Sequence, residues 1–255
     1  GQIGADTDAM IPSLKRIADA LKENGGKAVL QIHHGGRMSS PVELKNGQTI
    51  SASSIAATRE GAQIPREMTE KEITQTIKAF GEAARRAIEA GFDGVEIHGA
   101  NTYLLQQFFS PHSNRRTDKW GGNLEKRMTF PLEVIDAVKQ AVKENAKNSF
   151  LIGYRISPEE IEHPGITIED TFELVEAISK KKLDYLHVST MDFWAGSVRD
   201  KNDTIPRTQL IFEKLNGSIP IIAVGVINTP KDSEKILKTW IPLIALGREL
   251  LIEPN

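Results

Sequence analysis

Short apolar segments alternate with longer amphipathic segments along most of the chain. Strands that alternate with helices favour a parallel α/β sheet. Several of the apolar segments are hydrophobic at nearly every position, which is typical of strands buried on both faces. The pattern predicts six strands, at residues 28–33, 94–99, 150–157, 185–189, 219–226 and 243–247.

The segments between the strands have the spacing and the end signals of helices. From residue 69 to residue 91, apolar residues recur at intervals of three and four, as one buried helical face requires. Thr69 with Glu72 three residues later forms a capping-box pattern, and Gly91 ends the segment. Further helices are predicted at residues 8–24, from Leu124, from Thr167 with Asp170 as its cap partner, at 207–215, and from Thr229-Pro230.

Six strands are two fewer than a closed (β/α)8 barrel contains. Either two strands escape the pattern or the chain lacks them. Residues 41–65, rich in Ser, Ala and Gly, have room for a short strand or a hairpin. The 255 residues, 39% of them hydrophobic, suit one large α/β domain.

Composition excludes several classes of function. The formal net charge of -2 gives no basic excess, so we expect no nucleic-acid partner and no membrane partner. No apolar run approaches the ~20 residues of a membrane span. The absence of cysteine excludes thiolate catalysis and disulfides within these residues and fits a reducing cytoplasm. A cytoplasmic location is the expectation.

Polar residues cluster where the predicted strands end, the edge at which parallel α/β folds bind ligands. A single strand-end His is more often a structural hydrogen-bonding group than a catalyst, and a strand-end Gly is usually only a turn. The convergence of several such residues favours a site. Adjacent His33 and His34 point to opposite faces of a strand and no carboxylate completes a set, so no metal site is expected. The strand-end residues are Gln31, His33, His34, His98, Asn101, Tyr103, Arg155, Gly225, Gly247 and Arg248.

Two of the last turns have the composition of phosphate sites. Gly247 precedes Arg248, and Gly225 precedes the predicted helix at Thr229-Pro230. A glycine turn before a helix exposes N–H groups to an anion, and Arg248 adds a charged donor fork. The spacing alone is compatible with phosphate binding or with ordinary turns.

One long segment resembles a known family. Residues 91–127, GFDGVEIHGANTYLLQQFFSPHSNRRTDKWGGNLEKR, resemble the signature of the Old Yellow Enzyme family of NAD(P)H:flavin oxidoreductases, and shorter matches occur at 31–37 (QIHHGGR), 154–157 (YRIS) and 245–248 (ALGR). The resemblance implies an α/β fold of the TIM (β/α)8 barrel class, with FMN as cofactor and NADH or NADPH as reductant. It also implies a small-molecule activated alkene as substrate, and self-association into a homo-oligomer.

The resemblance also implies catalytic roles. His98 and Asn101 match the pair that donates hydrogen bonds to the substrate carbonyl, where enolate charge develops. Tyr103 matches the proton donor; a phenol can deliver this proton because the receiving carbanion is strongly basic.

Cofactor contacts follow from the shorter matches. Gln31 and Arg155 match residues that bond the pyrimidine edge of the flavin, and Arg155 would stabilise the reduced ring. Gly225, Gly247 and Arg248 match the FMN phosphate site.

Other signature residues have structural interpretations. Arg115, Arg116, Asp118, Glu125 and Arg127 are predicted to form an ion-pair network that shapes the loop, and Trp120 to pack within it. His34 and Arg37 fit either loop structure or site lining. The segment Asp192-Phe193-Trp194 fits either a substrate cap or a shield over the barrel mouth.

The chain departs from the family pattern at its ends. Family members begin with a further strand, helix and strand, so we expect residues 1–255 to be a single, N-terminally truncated FMN-binding barrel domain with about six of eight units. The first two strands would be missing, and weak FMN binding is expected. Two alternatives stay open: an inactive barrel fragment, and a phosphate-binding barrel lyase or isomerase that uses His98 and Tyr103 without flavin.

Overall fold

A computed structural model describes residues 3–44 and 46–252. The chain divides into two compact units, Gly1–Gly153 and Tyr154–Asn255. Strand β5 spans the border between the two ranges. Each unit repeats the alternation of strand and helix that the hydrophobic pattern predicts.

The first unit contains the predicted strands and helices together with elements that the pattern did not show. Strand β1 pairs in parallel with β4, with Val29 opposite Gly94 and Ile32 opposite Ile97. In chain order its elements are α1 (Ile11–Lys22), β1 (Val29–Ile32), β2 (Ile50–Ser51), β3 (Arg66–Glu67), α2 (Glu70–Glu89), β4 (Gly94–Gly99), α3 (Leu104–Phe109), α4 (Leu124–Asn145) and the start of β5 (Leu151–Ile156).

Among the described residues of the segment 41–65 there is one short strand, which the sequence leaves open, and no hairpin. Strand β2 pairs with β3, just beyond this segment, and the two strands run parallel. They form a separate two-stranded sheet. This small sheet lies within the loop between β1 and α2.

Helix α2 begins and packs as its sequence predicts. The Thr69 hydroxyl accepts the Glu72 N–H at 3.3 Å, and the Glu72 carboxylate accepts the Thr69 N–H at 2.8 Å. Its buried face lies against α4, where a Cβ on Gly81 would come within 3.1 Å of the Ala137 carbonyl. Glycine therefore permits the close approach of the two helices. None of the helices in the described ranges combines the length and hydropathy that a membrane-spanning helix needs.

The second unit has three parallel strands after β5. Strand β6 pairs with β7, and β7 pairs with β8. Both predicted helix caps form. Thr167 forms a capping box with Asp170, as predicted, and Thr229 forms one with Asp232. The last two strands are shorter than predicted because their ends enter turns. The elements are α5 (Ile168–Lys180), β6 (Tyr185–Ser189), α6 (Arg207–Leu215), β7 (Ile221–Val224), α7 (Pro230–Leu237), β8 (Leu243–Ile244) and α8 (Arg248–Ile252).

The loop after β6 is anchored by an aromatic core. Phe193 is fully buried, with ring centroids 4.7 Å from Trp194 and 5.9 Å from Trp240. Trp194 remains 41% exposed. Of the Asp192-Phe193-Trp194 segment, Phe193 therefore belongs to the core of this unit.

A buried ion pair holds the same loop to the segment after β5. Arg207 lies 3.1 Å from the Glu159 carboxylate, with side chains only 3% and 4% exposed. The other Glu159 oxygen accepts the Ser197 hydroxyl and the Val198 N–H. Loss of one partner would leave a buried charge uncompensated.

We expect Arg207→Leu to destabilise the protein by about 3 kcal/mol, since Glu159 would lose its counter-charge while staying buried. Urea unfolding measures the change. Lys238→Ala is the matched control, because its pair with Glu234 is 76% and 68% exposed and should contribute less than about 1 kcal/mol. Equal effects of the two substitutions would contradict the importance of the buried pair.

Candidate active site

The carboxyl end of β4 presents three of the predicted site residues on one turn. All six residues of the strand are buried, including His98. Beyond Gly99 the backbone passes through Asn101 and Thr102, with φ of 55° and 62°. This left-handed pair reverses the chain, and Tyr103 then precedes the first turn of α3.

Three rings meet at this turn. The Tyr103 ring centroid lies 5.1 Å from that of His98 and 5.1 Å from that of His33, and the two imidazoles are 6.0 Å apart. His33 follows β1, and the parallel register places it opposite His98. We call His33, His98 and Tyr103 the ring cluster. The sequence identified His33 only as a strand-end residue; its place against Tyr103 depends on strand pairing.

The second histidine after β1 supports the turn that follows it. His34 Nδ1 accepts the Gly36 N–H at 3.0 Å, and its carbonyl accepts the Leu104 N–H at 3.0 Å. Burial, helped by the neighbouring imidazole of His33, lowers the pKa of His34 to about 4. Burial also lowers the pKa of His33. Both imidazoles are therefore neutral near pH 7.

Gln31 and Arg37 occupy different environments. Gln31 is exposed, and its amide donates to the Glu96 carboxylate at 2.6 Å across the β1–β4 pair. The Arg37 side chain is buried and donates to the Ile55 and Ala56 carbonyls. Arg37 thus holds the loop after β1.

The rest of the signature forms a polar framework for the loop. Arg116 pairs with Asp118 at 2.6 Å and with Glu67 at 3.1 Å, which confirms an ion-pair network around Arg116. Arg127 donates to the backbone carbonyls of Phe109 and Gly122. The Arg115 side chain also donates to a carbonyl, that of His112, and Trp120 is buried against Phe130 as predicted.

The remaining predicted cofactor residues lie in the second unit. Arg155 in β5 donates to the Ser189 hydroxyl at 3.0 Å. Gly225 follows β7 with φ of 132°, and a Cβ there would lie 2.7 Å from the Phe193 nitrogen. Around Gly247 a Cβ would meet nothing within 4 Å. Arg248 is exposed at the start of α8.

Two buried glutamines lie beside the turn in the first unit, and they were not identified from the sequence. Gln106 and Gln107 lie on α3 and are 3% and 1% exposed. Both bond to the backbone of Thr102. The sequence did contain a signal for them, because two adjacent polar residues lie inside the otherwise apolar segment LLQQFF. Polar side chains in such a segment are buried only when they are hydrogen-bonded.

The sequence model of the NADH:flavin oxidoreductase / NADH oxidase family matches residues 2–255. The chain belongs to this family. It is 51% identical over 255 residues to a probable NADH-dependent flavin oxidoreductase, YqiG, of Bacillus subtilis, covering 100% of this chain and 68% of that protein. It is 48% identical to an NADH:acrylate oxidoreductase of Vibrio harveyi, of which it covers only 26% while all of this chain is matched.

A structural likeness agrees. The structure of morphinone reductase in complex with tetrahydroNAD gives a TM-score of 0.79 at 27% identity, covering 97% of this chain and 69% of that one. These comparisons confirm the family that the sequence resembles and the TIM-barrel class. Six strands of the main sheet lie in the described residues. The family is one of oxidoreductases, with FMN as cofactor and a nicotinamide as reductant, as predicted.

The half-buried His34 makes stability depend on pH. An unfolded His binds a proton below its ordinary pKa of about 6.5, whereas folded His34 stays neutral down to about pH 4. The stability that neutral His34 contributes to the folded state is fully present above pH 6.5. It is lost as pH falls from about 6.5 to about 4. His34→Asn keeps an acceptor for the Gly36 N–H but does not titrate. Between pH 7.5 and 4.5, the unfolding free energy of the unsubstituted protein should fall by about 2 kcal/mol more than that of the variant. Parallel curves would contradict this.

Proposed function

We propose that this chain catalyses the FMN-dependent reduction of the C=C bond of α,β-unsaturated carbonyl compounds, with NADH or NADPH as reductant. The observation that carries the proposal is the turn that puts His98, Asn101 and Tyr103 at the end of buried β4, with the phenol ring 5.1 Å from the imidazole. The proposal places residues 1–255 in a single FMN-binding domain, acting on a small molecule in the cytoplasm.

The names of relatives support the substrate class. Acrylate carries a C=C bond conjugated to a carboxylate, and the Vibrio harveyi relative is named for it. This chain spans only 26% of that protein, and we propose for it the same class of conjugated C=C substrate. Morphinone reductase is a second named reductase whose fold this chain shares.

The residues at the turn have complementary tasks. His98 and Asn101 donate hydrogen bonds to the substrate carbonyl oxygen, where negative charge develops. Tyr103 holds the proton that the α-carbon takes up. FMN, when bound, would supply the hydride for the β-carbon. Since burial keeps His33 neutral, the third member of the ring cluster adds no positive charge beside the phenol.

The residues present fit the cofactor. Within the first unit, Gln31 has an exposed amide near the end of β1, and within the second unit, Arg155 has a guanidinium in β5. Each is a hydrogen-bonding group of the kind that suits a flavin's pyrimidine edge. The space around Gly247 is open enough for an anion to approach the backbone, beside the exposed Arg248. These residues would hold the ring and the phosphate of FMN. Membership of the flavin oxidoreductase family favours this function over a flavin-free lyase or isomerase.

Tyr103→Phe should separate the two half-reactions. Reduction of an enone such as cyclohexenone by the reduced protein should slow by about 100-fold, because the phenol proton is lost. Reduction of the flavin by NADH or NADPH should change less than about twofold, since it needs no proton from this residue. Stopped-flow flavin absorbance measures both rates. Tyr185→Phe, which replaces another buried phenol, is the control. Equal slowing of both half-reactions would count against Tyr103 as proton donor.

Arg248→Gln should weaken FMN binding by about tenfold or more, because a charged hydrogen bond to the phosphate is lost. Binding of riboflavin, which lacks the phosphate, should be unchanged. Titration of flavin fluorescence compares the two ligands. Lys238→Gln removes another exposed cation of the same unit and should affect neither ligand. If Arg248→Gln weakens both flavins equally, the phosphate assignment is wrong.

A further inference from the structure

The turn that carries the proposed proton donor is held in a strained conformation. Asn101 and Thr102 both have positive φ, a region that residues with a side chain rarely adopt and that Asn tolerates better than Thr. Thr102 is also β-branched, for which this region is a true outlier. Such a pair persists only where surrounding contacts over-determine it.

Those contacts come from two adjacent glutamines. The Thr102 N–H donates to Gln106 Oε1 at 2.9 Å, and Gln107 Nε2 donates to the Thr102 carbonyl at 2.6 Å. Both backbone polar groups of the strained residue are therefore satisfied by side chains. The Tyr103 carbonyl accepts the Gln107 backbone N–H at 2.9 Å, so the same helix turn holds the next residue.

Gln107 connects this turn to the loop after β1. Its Oε1 accepts the Arg37 N–H at 3.1 Å and the Ser51 hydroxyl at 2.9 Å, while Nε2 also donates to the Gly35 carbonyl at 3.3 Å. With the Thr102 bond, these contacts use both hydrogens and both lone pairs of the amide. A Cβ on Gly36 would come within 2.1 Å of Oε1, so the loop can close on the amide only with glycine there.

We propose that Gln107 is a positioning residue for Tyr103. Its buried amide sets the Asn101–Thr102 turn, and through it the place of the phenol in the ring cluster. This inference rests on the proposed role of Tyr103 in proton transfer. The side chain of Gln107 needs no contact with substrate or cofactor for this task.

The first test reads the phenol directly and needs no activity. The chain has three tyrosines, so 3-fluorotyrosine labelling gives three ¹⁹F signals that Tyr→Phe variants assign. Gln107→Leu should shift or broaden the Tyr103 signal and leave the Tyr154 and Tyr185 signals in place. Ser51→Ala removes one hydrogen bond to the Gln107 amide, on the side away from the turn, and should shift none of the three tyrosine signals. An unchanged Tyr103 signal in Gln107→Leu would overturn the proposal, whatever the activity.

The second test uses the two half-reactions of the FMN-loaded protein. Gln107→Leu should slow enone reduction by about 10- to 100-fold through a misplaced donor, with flavin reduction changed less than about twofold. Equal slowing of both would overturn the positioning role. If the unsubstituted protein shows neither half-reaction, the proposed function is refuted instead. The ¹⁹F signals would still decide the role of Gln107.

Gln107→Glu guards against a variant that merely misfolds. A neutral carboxylic acid can donate one hydrogen bond toward Thr102 and accept on its other oxygen, whereas a carboxylate repels the two carbonyls. The enone rate of this variant should therefore recover as pH falls, together with the Tyr103 signal. Relative to the unsubstituted protein at each pH, Gln107→Leu should show no such recovery. If Gln107→Glu shows none either, the amide only stabilises the fold and the proposal fails.

Discussion

Complete burial of β4 is the constraint on which the first unit depends. All six residues of the strand are buried, so its polar side chains must find partners within the protein and its chemistry can emerge only where the strand ends. Parallel pairing with β1 brings a second strand end to the same place. The ring cluster is the product of these two strand ends and of the sharp turn that follows β4.

Between β4 and α4 the short helix α3 is flanked by irregular backbone, which must still be hydrogen-bonded. Polar side chains supply much of what a sheet or helix would supply elsewhere. Arg127 donates to two carbonyls, Asn114 donates to the carbonyls of Phe108 and Trp120, and Gln107 donates to those of Gly35 and Thr102. These hydrogen bonds explain how Gln107, Asn114 and Arg127 can be buried in this signature.

The second unit uses the same principle with a charged pair. Glu159 and Arg207 are almost inaccessible, and each also bonds to a loop segment around the aromatic core at Phe193. Gly225 lets the turn after β7 approach this core, where any side chain would meet the Phe193 backbone. The geometry after β6 and β7 therefore depends on packing inside this unit.

The sequence by itself determined the six strands of the α/β alternation, the longer helices between them and the family. Periodicity placed six strands, and the caps at Thr69 and Thr167 were correct because capping is a local interaction between residues three apart. The signature named His98, Asn101 and Tyr103. Only the tertiary structure decided how they are held: the left-handed pair at Asn101 and Thr102, and the contact of His33 with Tyr103. The bonds of Gln107 to residues 35, 37 and 51 join segments far apart in sequence, and no local pattern encodes which distant groups meet.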